Sequence, residues 1–169
     1  MGGHVVTMAA LRGHFETLGF ERVETFINSG NVIFETSADN DAALERKIEQ
    51  KLEKGLGYEV KTFLRSAAEV AAIARYRPFD AARIEAAPTL CVGFLAAPLD
   101  ASAQKSLMAM RTEIDDFHVH GREIYWLCAR KQTESKFSNS RFERILKISS
   151  TFRGLNTIVR LAEKFPPGD

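Results

Sequence analysis

The order of apolar patterns along this chain runs through once and then repeats, which restricts the fold to two similar mixed α+β halves. Residues 89–95 are apolar on both faces, as a central strand covered on both sides must be. A helix opened by Asp100 follows, to about residue 111. Residues 116–120, Gly121 and residues 122–129 then form a hairpin, the return strand alternating Ile124, Trp126 and Cys128 with Tyr125 and Leu127. A helix over 138–147, an extended piece over 148–152 and a last helix capped at Asn156 complete this half.

The first half carries the same order without an opening strand. Met8, Leu11, Phe15 and Leu18 recur at helical spacing behind a Thr7 cap, with Gly19 at the helix end. Residues 22–28 and 31–35 form a hairpin through Ser29 and Gly30. Leu44, Ile48 and Leu52 stripe a helix over 41–56, residues 58–65 alternate as a strand, and Ser66 with Glu69 forms a capping box for a helix ending near Tyr76. The expected class is therefore α+β with two ferredoxin-like βαββαβ subdomains, the first missing its opening central strand. The expected boundaries are 1–76, a linker over 77–88, and 89–165.

Several strings in the chain are recognisable together. Met8-x-x-Leu11-Arg12 after Gly2-Gly3, Phe26-Ile27-Asn28-Ser29-Gly30-Asn31-Val32-Ile33-Phe34, Gly121-Arg122-Glu123-Ile124-Tyr125, Ser135-Lys136 and Thr151-x-Arg153-x-x-Asn156-Thr157 resemble the bacterial domain-of-unknown-function family 1697 (DUF1697). The resemblance implies the two-subdomain α+β fold and brings no established activity. Members usually begin with an apolar strand running into Leu-Arg-Gly-Ile-Asn-Val-Gly-Gly, of which only Gly2-Gly3 stands here. It therefore implies such a strand before Gly2, with a start assigned too late as the expected reason. Where members commonly have Asn-Trp after the arginine, this chain has Gly154-Leu155.

With 45% hydrophobic and 27% charged residues the chain can bury a core, and a net charge of +1 conceals an uneven distribution. Residues 130–169 hold nine Lys or Arg against four Asp or Glu, a basic end that suits an anionic partner. No run approaches the ~20 apolar residues of a membrane span, and a cytoplasmic protein is expected. Cys91 and Cys128 lie in apolar strands and read as buried thiols.

The polar groups that could form a ligand site are Asn28, Ser29 and Asn31 at the first hairpin turn, Ser135 and Lys136 after the second hairpin, and Thr151, Arg153, Asn156 and Thr157 around the start of the last helix. Cations, hydroxyls, amides and a helix N-terminus together describe a site for an anionic or phosphorylated ligand, expected where the two halves meet. The same residue types also serve turns and caps for local reasons. Two other readings stay open. One is RNA or single-stranded nucleic-acid binding on strand aromatics such as Phe26, Phe63, Tyr125 and Trp126. The other is a protein-interaction module using a sheet edge. His118 and His120 share a strand face, but sequence supplies no further metal ligand. No phosphate-loop, dinucleotide or nucleophile-elbow motif is present, so no cofactor and no reaction are assigned.

Overall fold

The computed structural model describes residues 6–26, 30–37 and 40–168. It is a mixed α+β structure that divides into two compact units, residues 1–64 and 65–169. Among the described residues no helix is long and apolar enough to cross a membrane.

In the first unit, helix α1 (Met8–Thr17) starts on the Thr7 cap, whose side chain accepts from Ala10 N. Strands β1 (Glu21–Phe26) and β2 (Asn31–Glu35) pair antiparallel, and Gly30 holds a positive φ of 81° in the turn. Helix α2 (Asp41–Leu56) begins at the Asn40 cap and ends at Gly57, whose left-handed φ of 84° a residue without Cβ adopts readily. Its stripe of Leu44, Ile48 and Leu52 packs with Leu11, Phe15, Phe20 and Val23. Phe20 stacks on Phe34 with ring centroids 4.3 Å apart.

Residues 58–65, which alternate as a strand should, run extended but join no sheet among the described residues. The cause is a pair of carboxylates one helical turn apart on α2. Glu49 Oε2 accepts from Thr62 N at 2.8 Å and Glu45 Oε2 from Leu64 N at 2.7 Å. Backbone donors at i and i+2 point the same way from an extended chain, and glutamates at i and i+4 meet them from one helix face.

The second unit holds helices α3 (Ala67–Arg75) and α4 (Ala81–Ala86), strand β3 (Thr89–Phe94), helix α5 (Ala101–Met108), strands β4 (Asp115–His120) and β5 (Glu123–Cys128), helix α6 (Asn139–Leu146), strand β6 (Thr151–Gly154) and helix α7 (Leu155–Lys164). The stretch expected as a linker therefore contains α4. Helix α3, expected in the first half, falls in the second unit, where it packs against α7.

The sheet order is β4-β5-β3-β6, and each neighbouring pair is antiparallel. Strand β3 is central, which explains its apolarity on both faces. One face carries Cys91, Phe117, Ile124, Trp126 and Cys128 into a core with Leu95, Leu107, Phe137 and Phe142. Gly93 belongs to this face, and the Phe152 ring occupies the space a Cβ there would need. The other face carries Val92 and Tyr125 beneath α3 and α7, whose Ala71, Ile73, Ala74, Leu155 and Ile158 are buried.

Arg65 ties the entry of α3 to the β4–β5 turn. Its Nε donates to Glu123 Oε2 at 2.8 Å, and its Nη2 donates to Leu95 O and Arg122 O at 2.8 and 3.0 Å. The two side chains are only 4% and 11% exposed, so each charge depends on the other for solvation. We predict that Arg65→Met, which leaves Glu123 buried without its guanidinium, costs about 3 kcal/mol in urea unfolding. Arg65→Met combined with Glu123→Gln should cost clearly less, and equal losses would show that the charge pair is not what matters.

Candidate functional site

A strand sends alternate side chains to opposite faces, and antiparallel partners share a face. Register therefore lines up four residues across the second unit's sheet. His118 of β4 lies opposite Tyr125 of β5, Tyr125 opposite Val92 of β3, and Val92 opposite Arg153 of β6. The neighbouring row runs His120, Glu123, Phe94 and Thr151. These two rows, on the face beneath α3 and α7, carry Arg153, two histidines and the phenol of Tyr125.

At one end of the row, Arg153 Nη1 donates to Thr151 Oγ1 at 2.7 Å and to Phe152 O at 3.0 Å. Burial pulls the pKa of this guanidinium down from its ordinary value, although an arginine stays charged. Next to Val92, which is fully buried, stands Tyr125, 1% exposed. Its hydroxyl is buried with no hydrogen-bond partner among the described residues. Burial above all, with Glu123 and Tyr76 nearby, drives the Tyr125 pKa upward, so the phenol keeps its proton and is available as a donor.

At the other end, Tyr76 closes the helix α3 and lies over this face. Its ring is 5.2 Å from Tyr125 and stacks on His120 at 4.2 Å, and its hydroxyl bonds His118 Nε2 at 2.8 Å. Burial and the neighbouring His120 lower the His118 pKa, against the pull of Asp116. The shift favours the neutral imidazole at pH 7, whose Nε2 accepts from or donates to the Tyr76 hydroxyl according to the tautomer. Among the described residues no three His, Cys, Asp or Glu side chains are grouped to hold a metal ion.

The residues expected from sequence scatter over several settings. Asn28 and Ser29 lie outside the described residues. Asn31 closes its own hairpin, Nδ2 donating to Phe26 O at 3.0 Å. Thr151 and Arg153 come together on the sheet face just described. Ser135 belongs to the opposite face: its Oγ donates to Asp115 Oδ1 at 2.7 Å, where Trp126 Nε1 also donates at 2.9 Å, while Thr112 Oγ1 donates to Oδ2 at 2.8 Å. These bonds solvate a carboxylate that is 2% exposed. Lys136 is exposed, and its carbonyl accepts from Arg141. Asn156 is exposed in the first turn of α7 and does not cap it; β6 runs straight into the helix, with Gly154 in the cap position. Thr157 is half-buried beside it.

Tyr76, His118 and Tyr125 carry no motif that marks them as a site. The sequence offers Tyr125 as a strand aromatic, His118 as half of a histidine pair and Tyr76 as a helix end, and no pattern joins the three. A cavity of about 560 Å³ opens elsewhere in the unit, beside Arg83, Thr112 and Asp116. Arg83 and Asp116 already pair there at 3.0 Å, so it offers less unsatisfied chemistry than the Tyr125 row. Cys91 is held by Gln132 at 3.0 Å, and burial lifts its pKa to about 11, so it is no nucleophile at neutral pH.

An unsatisfied buried hydroxyl costs stability, which gives a direct check on this geometry. We predict that Tyr125→Phe raises stability by about 1 kcal/mol, or about 2–4 °C in Tm by calorimetry. Ser135→Ala, which strips a donor from buried Asp115, should lower stability by about 1–2 kcal/mol in the same measurement.

Residues 1–125 match the family described as protein of unknown function DUF1697. No curated protein matches the chain. Among solved structures it is similar to the conserved bacterial protein SP0830 from Streptococcus pneumoniae, with 25% sequence identity and a TM-score of 0.69 over 96% of this chain and 91% of that one. The family match extends through the first unit and on through β4 to Tyr125 in β5, and the protein belongs to the DUF1697 family.

Proposed function

We propose that the second unit binds a small oxyanion, such as a phosphate group, against the sheet face that carries Thr151, Arg153 and Tyr125. The observation that carries this reading is the Tyr125 hydroxyl, a buried donor with no partner, in register across Val92 from the guanidinium of Arg153. A charged acceptor gains most from such donors, because a hydrogen bond to an anion in a desolvated setting is stronger than one in water. Thr151 supplies a hydroxyl that already orients the guanidinium. A natural protein tolerates an unsatisfied buried group most readily where function uses it. The strand order β4-β5-β3-β6, with a helix between β3 and β4 and another between β5 and β6, supports reading this unit as ferredoxin-like βαββαβ.

Base stacking gains no comparable support. Phe26, Tyr125 and Trp126 are buried, which removes them as an open platform for nucleobases.

The test is a thermal-shift and calorimetric titration with inorganic phosphate, sulfate and phosphorylated metabolites. Wild type should be stabilised, and Arg153→Met should lose at least about tenfold in affinity, the scale of a lost charged hydrogen bond. Lys136→Ala, an equal change in net charge at an exposed site beside Ser135, should bind as wild type does. Absence of any shift in wild type, or equal binding by Arg153→Met, overturns the proposal.

A further inference from the structure

We propose that the outer surface of helices α5 and α6 docks on a negatively charged lipid bilayer, as a peripheral contact made by basic side chains and Ile145. This surface lies on the side of the sheet opposite Thr151, Arg153 and Tyr125, so the inference is independent of the oxyanion reading.

The packing of the two helices fixes which residues point outward. Leu107 of α5 and Phe142 of α6 are fully buried in the same core against the sheet, and the helices pack against each other. A residue two positions away lies about 200° around a helix, on the opposite side. Lys105 and Arg144 therefore both point away from the sheet, and both are exposed. Arg141 and Lys147 flank Arg144 at three residues on either side, within reach on one helix face. Arg141 also donates to the Lys136 carbonyl at 3.3 Å, which keeps Lys136 beside the start of α6. The other outward residues are short: Ser102, Ser106 and Ser140 are exposed there, so nothing long shields the cations from a flat partner.

Charge and apolarity coincide on this surface. The acids of the layer are already engaged: Asp100 caps α5 through Ala103 N at 2.7 Å, Glu143 accepts from Ser150 N at 2.9 Å, and Glu134 pairs with Arg130. Among the described residues none of Lys105, Lys136, Arg141, Arg144 and Lys147 is ion-paired with a carboxylate. Among the same residues Ile145 is the one exposed large hydrophobic side chain, at 44%, and it stands next to Arg144 and one turn after Arg141. An anionic bilayer suits both features. Its headgroups attract a cluster of Lys and Arg, and an aliphatic side chain set among them enters the boundary of the acyl region. A nucleic-acid backbone offers phosphates to the cations but nothing apolar to Ile145.

Cosedimentation of the full chain with lipid vesicles tests this. Vesicles of phosphatidylcholine and phosphatidylglycerol in equal parts should bind the protein at about 0.1 M salt at least about tenfold more tightly than pure phosphatidylcholine, and the difference should shrink at about 0.5 M salt. A cation near the surface is worth about fivefold in affinity, so Arg144→Gln should lose about that much and Arg144→Gln with Lys105→Gln about twentyfold. Thermal unfolding of these variants should match wild type, since both side chains are exposed. Arg75→Gln, an equal change in charge at an exposed position of α3, should bind vesicles as wild type does. Ile145→Ser should weaken vesicle binding severalfold. No preference for the anionic vesicles, or unchanged binding by the double variant, overturns the proposal. Tighter binding to a duplex oligonucleotide than to the vesicles, with Ile145→Ser unaffected, would assign the surface to nucleic acid and overturn it equally.

Discussion

The buried pair of Arg65 and Glu123 is the constraint on which the second unit's chemistry depends. Arg65 stands one residue before the Ser66 cap of α3, and Glu123 opens β5 directly after the hairpin turn at Gly121 and Arg122. A second pair, Arg122 with Glu69 at 2.7 Å, repeats the link one turn into the helix. A nine-residue helix is rigid and spans about 13 Å, so fixing its first turn also fixes where its last residue arrives. That residue is followed by Tyr76, which lies over His118, His120 and Tyr125. The pair also stacks Arg65 over Phe94, 5.3 Å from the ring, so one desolvated cation serves the turn, the carbonyl of Leu95 and the central strand together.

The two faces of the sheet solve the problem of buried polar groups in opposite ways. Behind it, Asp115 is enclosed by three side-chain donors from Thr112, Trp126 and Ser135, and a carboxylate so supplied is part of the packing. In front of it, the Tyr125 hydroxyl has none. Since an unmet buried donor costs about 1–3 kcal/mol, a phenylalanine would serve packing better. The asymmetry separates a buried polar group whose partners the packing supplies from one that the packing leaves without a partner among the described residues. It also separates Ser135 from Arg153, which sequence placed in one cluster.

Much of the fold was legible because local rules and the tertiary structure agreed. Thr7, Ser66 and Asp100 all accept from backbone amides as helix caps, as the sequence reading expects. The two-sided apolarity of β3 marked a central strand. Disagreement came where a side chain replaced a strand. The 58–65 segment has the alternation of a strand, yet Glu45 and Glu49 take its amides, and no local pattern signals that a helix will do so. Asn156 suits a cap, but β6 runs into α7 without a loop and leaves it past that position.

By itself the sequence determined the α+β class, both hairpins and most helix ends. These follow from side-chain periodicity and from local competition for backbone hydrogen bonds, both of which act over a few residues. Only the tertiary structure decided that Tyr125 is unsatisfied, that Tyr76 holds His118, and that Ser135 and Arg153 belong to opposite faces. Tyr76 and Tyr125 are 49 positions apart in the chain and meet only because α3 is pinned across the sheet. Whether a buried hydroxyl finds a partner depends on every element that packs around it, and no stretch of sequence carries that information.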